Sequence, residues 1–456
     1  MTTTNGRPSG VVVDRAVVIG GSVAGLAAAL AVAPHASQVT VVDRHDGTGE
    51  GSIVPQGRLP HVLLAGGAAA LDRLAPGFTS ELSRQGAVGA DPGPRPVHWW
   101  AHGACRTHLP DVGIEAPLCS RSLVESTLRA RVRATAGIDL RRTTVTGLEV
   151  AEGAVRGVRL DDGTTLKADI VVDASGRAAR GAGWLRDVGV RIPERERVTV
   201  DVVYTAVEVE RRPTDLDGGL VGVVQNSAEL PRIGVALAAE GDRWQIVLGG
   251  YFGEHPELDR SSMLAFAGSL PDPAIAQLLA GTWLSEPRRH RFPASERTRW
   301  STVDLPAGFF VVGDAVASFN PIYGQGMSSA AQQAGALAEC LARPTSLARA
   351  TRAHARAADR VVETPWRVAT GADFIYPETE GRKPAGTDLI NRYLERVMRA
   401  APYDERVNLA LTRVQLLLAR PETLMAPAVV ARALLRSPSR RGEAPVHPVG
   451  VEPTVR

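Results

Sequence analysis

Lysine is almost absent from this chain of 456 residues. Only Lys167 and Lys383 are lysines among its 52 basic residues, and arginine supplies the rest. We interpret this bias as the codon usage of a GC-rich genome. The chain also has 49 acidic residues, so its formal net charge is +3. That balance is too weak and too mixed to indicate binding to a polyanion, and we expect no nucleic-acid partner.

Cysteine is also scarce, since Cys105, Cys119 and Cys340 are the only three. An odd count without Cys-x-x-Cys spacing argues against a disulfide framework, a zinc ribbon and a thioredoxin motif. We therefore expect no metal site, and a reducing cytoplasmic location fits best.

Long hydrophobic runs are missing as well. The stretch 16–33 lacks charge and could be taken for a signal peptide or a short span. Gly20, Gly21 and Gly25 interrupt it where a signal peptide needs a continuous apolar core, so we reject both interpretations. The composition of 44% hydrophobic, 22% charged and 5% aromatic residues is that of an ordinary globular protein. The length predicts two to four domains.

What the stretch does contain is the start of a dinucleotide-binding unit. A β-branched run at 15–19 is followed by the turn Gly20 to Gly25 and by a helix-forming segment at 26–32. A second apolar run at 38–42 ends at Asp43. This order of strand, glycine turn, helix, strand and acid is the βαβ fingerprint for a dinucleotide.

Each position in this motif has a physical reason. Gly20 permits the tight turn, position 22 lets the backbone approach a pyrophosphate, and Gly25 brings the helix close to the strand. Ser22 stands where glycine is usual, and its hydroxyl could donate to phosphate. Asp43 favours a free ribose 2′-hydroxyl, as in FAD or NAD, and the motif leaves these two open. The predicted contacts are Gly20, Ser22, Val23, Ala24, Gly25, Asp43 and Arg44.

A second element that would face a cofactor lies far downstream. A strand at 308–312 ends in Gly313-Asp314, and a proline- and glycine-containing loop leads to an alanine-rich helix at about 328–341. Asp314 could bind a ribityl hydroxyl, and the helix N-terminus near 324–327 could stabilise negative charge on a reduced flavin. The alternative is an ordinary turn between a strand and a helix.

These residues resemble a known family. One stretch looks like the Gly-Asp motif of FAD-dependent monooxygenases of the para-hydroxybenzoate hydroxylase fold. It is the sequence Gly313-Asp314-Ala315, followed by Phe319-Asn320-Pro321-Ile322-Tyr323-Gly324-Gln325-Gly326-Met327. It most resembles the squalene epoxidase-like branch, and within it the bacterial polyether epoxidases of polyketide pathways such as those of lasalocid and monensin.

Other segments resemble the same branch, over about residues 17–430. They are the loop 55–64, the helix start at 119–123, the strand motif 171–177 and the segment 366–377, to which we assign no role. The related hydroxylases carry Asp-Gly where Ser175-Gly176 stands here. The FAD contacts that the resemblance implies are Gln56, Arg58, Arg121, Ser175, Gly176, Gly313, Asp314, Pro321, Gly324, Gln325, Gly326 and Met327.

The predicted fold class is α/β, with a Rossmann-like FAD-binding domain interleaved with a mainly β substrate domain and followed by C-terminal helices. Alternating segments at 198–204 and 243–248 predict strands of that second sheet. Apolar faces at 414–418 and 424–430 are expected to dock on the body; contact with a membrane is the less favoured reading. The predicted parts are a disordered tail 1–13, an FAD-binding domain 14–90, 105–185 and 286–345, a substrate-binding sheet 91–104 and 186–285, a helical region 346–436 and a disordered tail 437–456.

The resemblance implies flavin-dependent oxygenation. FAD would be reduced by NAD(P)H or a separate flavin reductase, and O2 would form a flavin C4a-hydroperoxide that passes one oxygen atom to the substrate. No Ser/His/Asp, Cys/His or His-Glu-x-x-His constellation is recognisable. Arg58 and His61 are the candidates for contact with the flavin or the peroxide. For His61, as for His98, we favour a structural role over that of a general base. The predicted substrate pocket is lined by Trp99, Trp100, Tyr204, Trp244, Phe319 and Tyr323.

The absence of a recognisable base favours an alkene, which needs no proton removed, over a phenol. The sequence therefore predicts an epoxidase acting on a bulky apolar polyketide or isoprenoid. The sequence leaves open whether the protein has a reductase or a carrier protein as a partner. The alternatives are a hydroxylase of an aromatic or polyketide ring, a reductase or cyclase that does not use O2, and an FAD-binding protein without catalytic activity.

Overall fold

The computed structural model describes residues 10–45, 60–89, 94–114 and 116–436. The predicted tail 437–456 and the predicted FAD contacts Gln56 and Arg58 lie outside these residues. Strand β1 begins at Val13, inside the segment predicted as a disordered tail, and the Val11 N–H donates to Leu341 O at 2.8 Å. Residues 10–13 thus belong to the folded body.

Sixteen strands and twelve α-helices lie in the described part of the chain. The strands are β1 (Val13–Ile19), β2 (Ala36–Asp43), β3 (Arg95–Ala101), β4 (Ala104–Leu109), β5 (Ile138–Arg142), β6 (Val145–Ala151), β7 (Ala154–Leu160), β8 (Thr165–Lys167), β9 (Ile170–Asp173), β10 (Arg195–Glu210), β11 (Val221–Val224), β12 (Arg232–Ala239), β13 (Arg243–Tyr251), β14 (Arg288–Thr298), β15 (Phe309–Val311) and β16 (Ala317–Ser318). The helices are α1 (Val23–Val32), α2 (Ala65–Leu74), α3 (Phe78–Arg84), α4 (Arg121–Ala134), α5 (Arg180–Asp187), α6 (Arg260–Gly268), α7 (Ala274–Leu279), α8 (Gly326–Leu341), α9 (Leu347–Asp373), α10 (Thr387–Ala400), α11 (Glu405–Gln415) and α12 (Pro427–Arg436).

A five-stranded parallel sheet in the order β15-β9-β1-β2-β5 forms the first layer. Its central strands are apolar because helices cover them, and α1, α4 and α8 share one core with the sheet. The uncharged stretch 16–33 forms most of β1 and all of α1, and its residues are largely buried. The α/β fold with a Rossmann-like sheet is therefore confirmed.

The second large sheet has eight strands in the order β16-β14-β10-β13-β12-β11-β3-β4. Neighbouring strands are antiparallel except β11 and β3, which run parallel. Side chains alternate between its two faces, as in any strand. One face looks towards the parallel sheet, and the other packs against α6 and α7. We call it the roof sheet.

The roof sheet contains more segments of the chain than we predicted for the substrate-binding sheet. Besides 91–104 and 186–285 it contains β4, β14 and β16, which fall in segments predicted for the FAD-binding domain. The 11-residue strand β14 pairs with β10 along most of its length, so the connection back to β15 is itself part of the roof. A small three-stranded sheet, β6-β7-β8, lies beside the parallel sheet.

The C-terminal region is helical, as predicted. Helix α9 packs against α8, while α10, α11 and α12 surround an apolar cluster of their own. Helix α11 reaches the roof sheet, where Arg106 and His108 of β4 bond to it. No helix in the described ranges is long and apolar enough to cross a bilayer.

Candidate functional site

A cavity of about 630 Å³ lies between the carboxyl edge of the parallel sheet, the roof sheet and the C-terminal helices. Ligands of open α/β sheets bind at this carboxyl edge, so the location agrees with a nucleotide site. The cavity continues from the glycine turn after β1 to the apolar inner face of the roof sheet. One space therefore joins a dinucleotide motif to an apolar compartment.

The glycine turn is built for close backbone approach. Gly20 adopts a φ of +111°, which a residue with a side chain rarely tolerates. A Cβ on Gly25 would lie 1.7 Å from Gly20 O, so only glycine lets α1 sit this close to the turn. Ser22 is the N-cap of α1, but its side chain does not cap the helix. Within the described residues, Leu26 is the first residue of α1 whose backbone N–H has an acceptor. Such unsatisfied N–H groups fit a pyrophosphate.

Asp43 ends β2 beside this turn. Its Oδ2 accepts the Gly21 N–H at 2.6 Å and its Oδ1 accepts the His45 N–H at 2.8 Å. The carboxylate thus fixes the turn and keeps lone pairs directed at the cavity, which it lines together with Arg44. This geometry suits a ribose hydroxyl, and the assignment of Asp43 and Arg44 to FAD stays a prediction.

A polar network joins the turn to α4. Ser22 Oγ donates to Glu125 Oε1 at 2.5 Å, and Arg121 donates to Ser22 Oγ at 2.9 Å and to Glu125 Oε1 at 3.0 Å. Arg121 Nη1 also lies 3.1 Å from His61 Nε2. Arg121, His61 and Ser22 all line the cavity. Serine at the usual glycine position is therefore part of a network that orders Arg121 at the cavity wall.

His61 is held by that arginine. With Arg121 as donor, Nε2 of His61 acts as the acceptor, and the nitrogen is already engaged. This arrangement supports a positioning role rather than that of a free base. Arg58, the other predicted catalytic candidate, lies outside the described residues.

Asp173 and Ser175 shape the second turn of the parallel sheet. Buried Asp173 accepts the N–H groups of Ser175 at 2.9 Å and Gly181 at 3.0 Å, so its role is structural. Ser175 and Gly176 then line the cavity beside the glycine turn.

Asp314 follows β15 and lines the same cavity. Burial raises the pKa of its carboxyl, while the charges of Arg121 and Arg177 oppose that rise. A carboxylate in this setting is suited to accept a hydroxyl hydrogen bond, as the sequence predicted for the ribityl chain.

Two polar atoms of the loop after Asp314 are buried and lack a hydrogen-bond partner among the described residues. They are Gln325 Oε1 and Ser318 Oγ, and both residues line the cavity. Helix α8 starts at Gly326 without a side-chain cap. Because buried polar groups are normally paired, these atoms point to a bound polar ring, and a flavin fits. Pro321, Gly324 and Met327 line the same wall.

A second buried network anchors this loop. Asp373, at the end of α9, accepts from Asn320 Nδ2 at 2.9 Å, from Tyr251 OH at 3.0 Å and from Tyr323 OH at 3.4 Å, all at Oδ1. Its Oδ2 is buried and has no hydrogen-bond partner in the described part of the chain. Burial raises the pKa of Asp373 to about 7, against the lowering effect of its three donors. Asp373 lies in the segment 366–377, so the structure gives this segment a definite place behind the loop.

The apolar compartment is formed mainly by the inner face of the roof sheet. Trp99, Tyr204, Phe319 and Tyr323, four of the residues predicted for the substrate pocket, line it, and their contact with a substrate stays a prediction. Further lining side chains are Val221, Val223, Ile233, Val235, Leu237, Val247 and Phe292. Burial raises the pKa of Tyr204 well above its usual range, so its hydroxyl is neutral at physiological pH.

The structure corrects the prediction for Trp100 and Trp244. Trp100 follows Trp99 on β3 and therefore points to the opposite face. Trp244 has no exposed surface and packs in the outer cluster beneath α6 and α7, with its Nε1 donating to Asp215 Oδ2 at 2.8 Å. Neither lines the cavity.

Sequence reasoning missed several lining residues. Arg95 of β3 lines the apolar compartment, and so do side chains from the C-terminal helical region: Val368, Ala372, Leu394, Met398, Leu411, Thr412, Val414, Gln415 and Leu424. The predicted apolar faces near 414–418 and 424–430 were a usable signal, but they did not reveal that these helices close the cavity. The described ranges contain no cluster of His, Cys, Asp and Glu that could hold a metal ion.

Comparisons with known proteins agree with this geometry. A family profile described as FAD dependent oxidoreductase matches residues 16–209. Protein Rv3254 of Mycobacterium tuberculosis is 33% identical, over 75% of this chain and 75% of its own. The chain belongs to the FAD-dependent oxidoreductase family. FAD is accordingly its cofactor, and the placement of FAD at the nucleotide end of the cavity stays a prediction.

Solved structures with low sequence identity share the fold of this oxidoreductase. A tetrameric 2-methyl-3-hydroxypyridine-5-carboxylic acid oxygenase is 18% identical with a TM-score of 0.62, covering 89% of this chain and 97% of its own. PqsL, a probable FAD-dependent monooxygenase from Pseudomonas aeruginosa, is 18% identical with a TM-score of 0.58, covering 80% and 97%. The Diels-Alderase PyrE3 is 19% identical with a TM-score of 0.57, covering 88% and 80%. The likeness is one of fold, and these proteins differ in their named reactions.

Replacement of Asp43 by alanine is expected to weaken FAD binding about 10- to 100-fold. The variant loses the acceptor for the Gly21 N–H and for a ribose hydroxyl, and hydrogen bonds to charged groups contribute about 1.5–3 kcal/mol. Titration of apoprotein with FAD by flavin fluorescence measures the effect. Asp259→Ala is the matched control, because Asp259 also accepts a backbone N–H, that of Ser262, but far from the cavity. Equal FAD affinity in both variants would remove Asp43 from the site.

Proposed function

We propose that this oxidoreductase is an FAD-dependent monooxygenase that transfers one oxygen atom of O2 to an alkene of a bulky, largely apolar metabolite. The observation that carries the proposal is the continuity of the cavity. The same space that begins at Gly20 and Asp43 ends among Trp99, Phe292 and other apolar side chains of the roof sheet. A substrate there would lie against the loop expected to face the flavin.

Different residues along the cavity suit different parts of FAD. The free N–H groups of α1, together with Asp43 and Arg44, suit the nucleotide half of FAD, and Asp314 and Gln325 suit the ribityl chain and the ring. When bound, FAD supplies the redox chemistry with O2 that the side chains lack. With FAD and a substrate bound, the apolar side chains of the roof sheet would keep water away from the reacting atoms.

The charges of the cavity support epoxidation. Among the described lining residues, the carboxylates are Asp43 and Asp314, both at the FAD end, and His61 is engaged by Arg121. No described carboxylate or free imidazole faces the apolar compartment directly. An alkene needs no base to attack an electrophilic oxygen, so this compartment suits it. A polyketide or isoprenoid origin of the alkene rests on the sequence resemblance.

Ring hydroxylation is the second candidate, and the pair Tyr323 and Asp373 favours it. Tyr323 lines the cavity, and its hydroxyl lies 3.4 Å from Asp373 Oδ1. A phenol bound near Tyr323 could pass its proton along this pair. NAD(P)H bound transiently or a separate flavin reductase is the proposed electron source for either reaction.

A substrate panel separates the two reactions. The FAD-loaded protein is reduced chemically, mixed with O2 in a single turnover, and given linear polyenes, isoprenoid alkenes or matched phenols. Epoxides from the alkenes, with phenols left unchanged, are the expected result. Oxygenation of phenols alone contradicts the epoxidase proposal and supports the hydroxylase. If phenols are oxygenated, the variant Tyr323→Phe, which keeps the ring and removes the hydroxyl, should lower that activity.

A further inference from the structure

Arg106 is a buried cation whose partners among the described residues are all neutral. Its guanidinium donates to Asn408 Oδ1 at 3.3 Å, Thr412 Oγ1 at 3.4 Å and Gln415 Oε1 at 3.0 Å, and the residue is 4% exposed. None of the described carboxylates forms an ion pair with it. Burial lowers the pKa of Arg106 to about 10, so it remains charged at neutral pH. Arginine is almost never buried without an anionic partner.

Arg106 does not itself line the cavity, but its charge lies directly behind residues that do. The Arg106 guanidinium stacks over the Trp99 ring, with 4.4 Å between its carbon and the ring centroid. Trp99, Thr412 and Gln415, which surround this guanidinium, all line the cavity. A second arginine strengthens the positive potential. Arg95, on the same strand as Trp99, lines the cavity, and the acceptors of its guanidinium among the described residues are the carbonyls of Gly89 and Ala116.

These positions do not belong to the nucleotide end. Arg106 lies on β4 and Arg95 on β3, at the edge of the roof sheet, whereas Gly20, Asp43 and Asp314 follow strands of the parallel sheet. The polar contacts of Arg106 to α11 need only donors, which a neutral amide could supply. The contacts between β4 and α11 therefore do not explain the charge itself.

We propose that the Trp99 end of the cavity binds a carboxylate of the substrate, with Arg95 at the cavity surface and Arg106 behind the Trp99 ring as the cationic groups that select it. The substrate is then an acid with a bulky apolar body rather than a wholly apolar molecule. This inference rests on the proposed function only in taking the apolar compartment as the substrate site. An apolar compartment has a low effective dielectric constant, so one favourable charge has a large effect on binding there. A guanidinium matches a carboxylate in geometry as well as in charge.

Paired ligands test the proposal on the unmodified protein. Isothermal titration calorimetry of the FAD-loaded protein at pH 8 compares 2-naphthoate with 2-naphthamide, which have the same shape but differ in charge. The acid is expected to bind at least about tenfold more tightly, which corresponds to about 1.4 kcal/mol. If the acid binds no more tightly than the amide, the proposal is wrong.

Variants identify the residues. Arg106→Gln keeps hydrogen-bond donors and removes the charge, so the preference for the acid should fall several-fold, while Arg106→Lys should retain part of it. Arg352→Gln is the matched control, because Arg352 is exposed on α9 and its loss changes the net charge equally. An unchanged preference in Arg106→Gln contradicts the assignment. So does a variant whose acid preference is intact but whose FAD content falls, since Arg106 would then serve the flavin.

The outcome is separable from that of the proposed function. The calorimetric preference requires no turnover, so it can be present in a protein that never oxygenates a substrate. Conversely, oxygenation of a neutral alkene without any acid preference would support the monooxygenase and overturn the carboxylate site.

Discussion

Replacement of Gly25 by alanine is expected to leave the protein folded but to weaken its binding of FAD about 10- to 100-fold. The new Cβ would lie 1.7 Å from the carbonyl oxygen of Gly20 and 2.8 Å from its carbon, and both are backbone atoms that cannot rotate away. Helix α1 must therefore shift away from the turn, and its N-terminal N–H groups move with it. Overpacking of this kind costs about 1–3 kcal/mol, so FAD affinity should fall about 10- to 100-fold.

The flavin absorbance per mole of purified protein, followed by FAD titration of the apoprotein, measures this effect. Gly335→Ala is the matched control, because Gly335 also lies in a buried helix but a Cβ there meets nothing within 4 Å. It should keep its FAD and gain slightly in stability from higher helix propensity. Retention of full FAD affinity in Gly25→Ala, with a normal circular dichroism spectrum in both variants, would contradict the assigned pyrophosphate site.

Replacement of Asp373 by asparagine is expected to change how stability depends on pH. The folded pKa of Asp373 is raised to about 7, whereas an unfolded aspartate titrates near 3.8. Between these values the unfolded chain releases the proton first, so this group makes stability fall as pH rises through about 4 to 7 and adds no further change above. Asparagine resembles the neutral carboxyl and still accepts at Oδ1, so the variant lacks this fall.

Each pKa unit corresponds to about 1.4 kcal/mol, so the difference in unfolding free energy between variant and parent should grow by a few kcal/mol from pH 4 to pH 7. Urea unfolding at several pH values measures it. Asp388→Asn, which alters an exposed carboxylate paired with Lys383, is the control and should follow the parent. A constant difference between Asp373→Asn and the parent over this range would show that Asp373 is ionised throughout.

The nucleotide half of the site was predictable because its signals are local. Gly20, Gly25 and Asp43 are close in sequence, and each is required by backbone geometry within one βαβ unit. The structure places all three around the same turn. Asp314 lies far away in sequence, but it ends a strand of the same parallel sheet, so the common carboxyl edge brings it to the same cavity.

The apolar half was predicted less well because it depends on strand alternation. Trp99 and Trp100 are neighbours of the same residue type, and only the pleat of β3 decides which of them faces the cavity. Trp244 falls on the outer face for the same reason. The register of a strand against its neighbours follows from long-range pairing, which a single sequence does not reveal.

The two buried polar networks were invisible for a different reason. Asp373 meets Asn320 and Tyr251 only when α9 packs behind the loop, and Arg106 meets Gln415 only when α11 closes over β4. These partners are separated by 53 to 309 residues in the chain. The resemblance of 366–377 to a known branch marked one segment without indicating its partners.

The use of O2 is the central claim, because a reductase or cyclase of this fold would not incorporate oxygen. The most direct test is turnover of an accepted substrate under isotopically labelled O2 in unlabelled water, with mass spectrometry of the product. We expect one labelled oxygen atom in each product molecule. A product without label, or with oxygen derived from water, would contradict the assignment of this cavity to a monooxygenase.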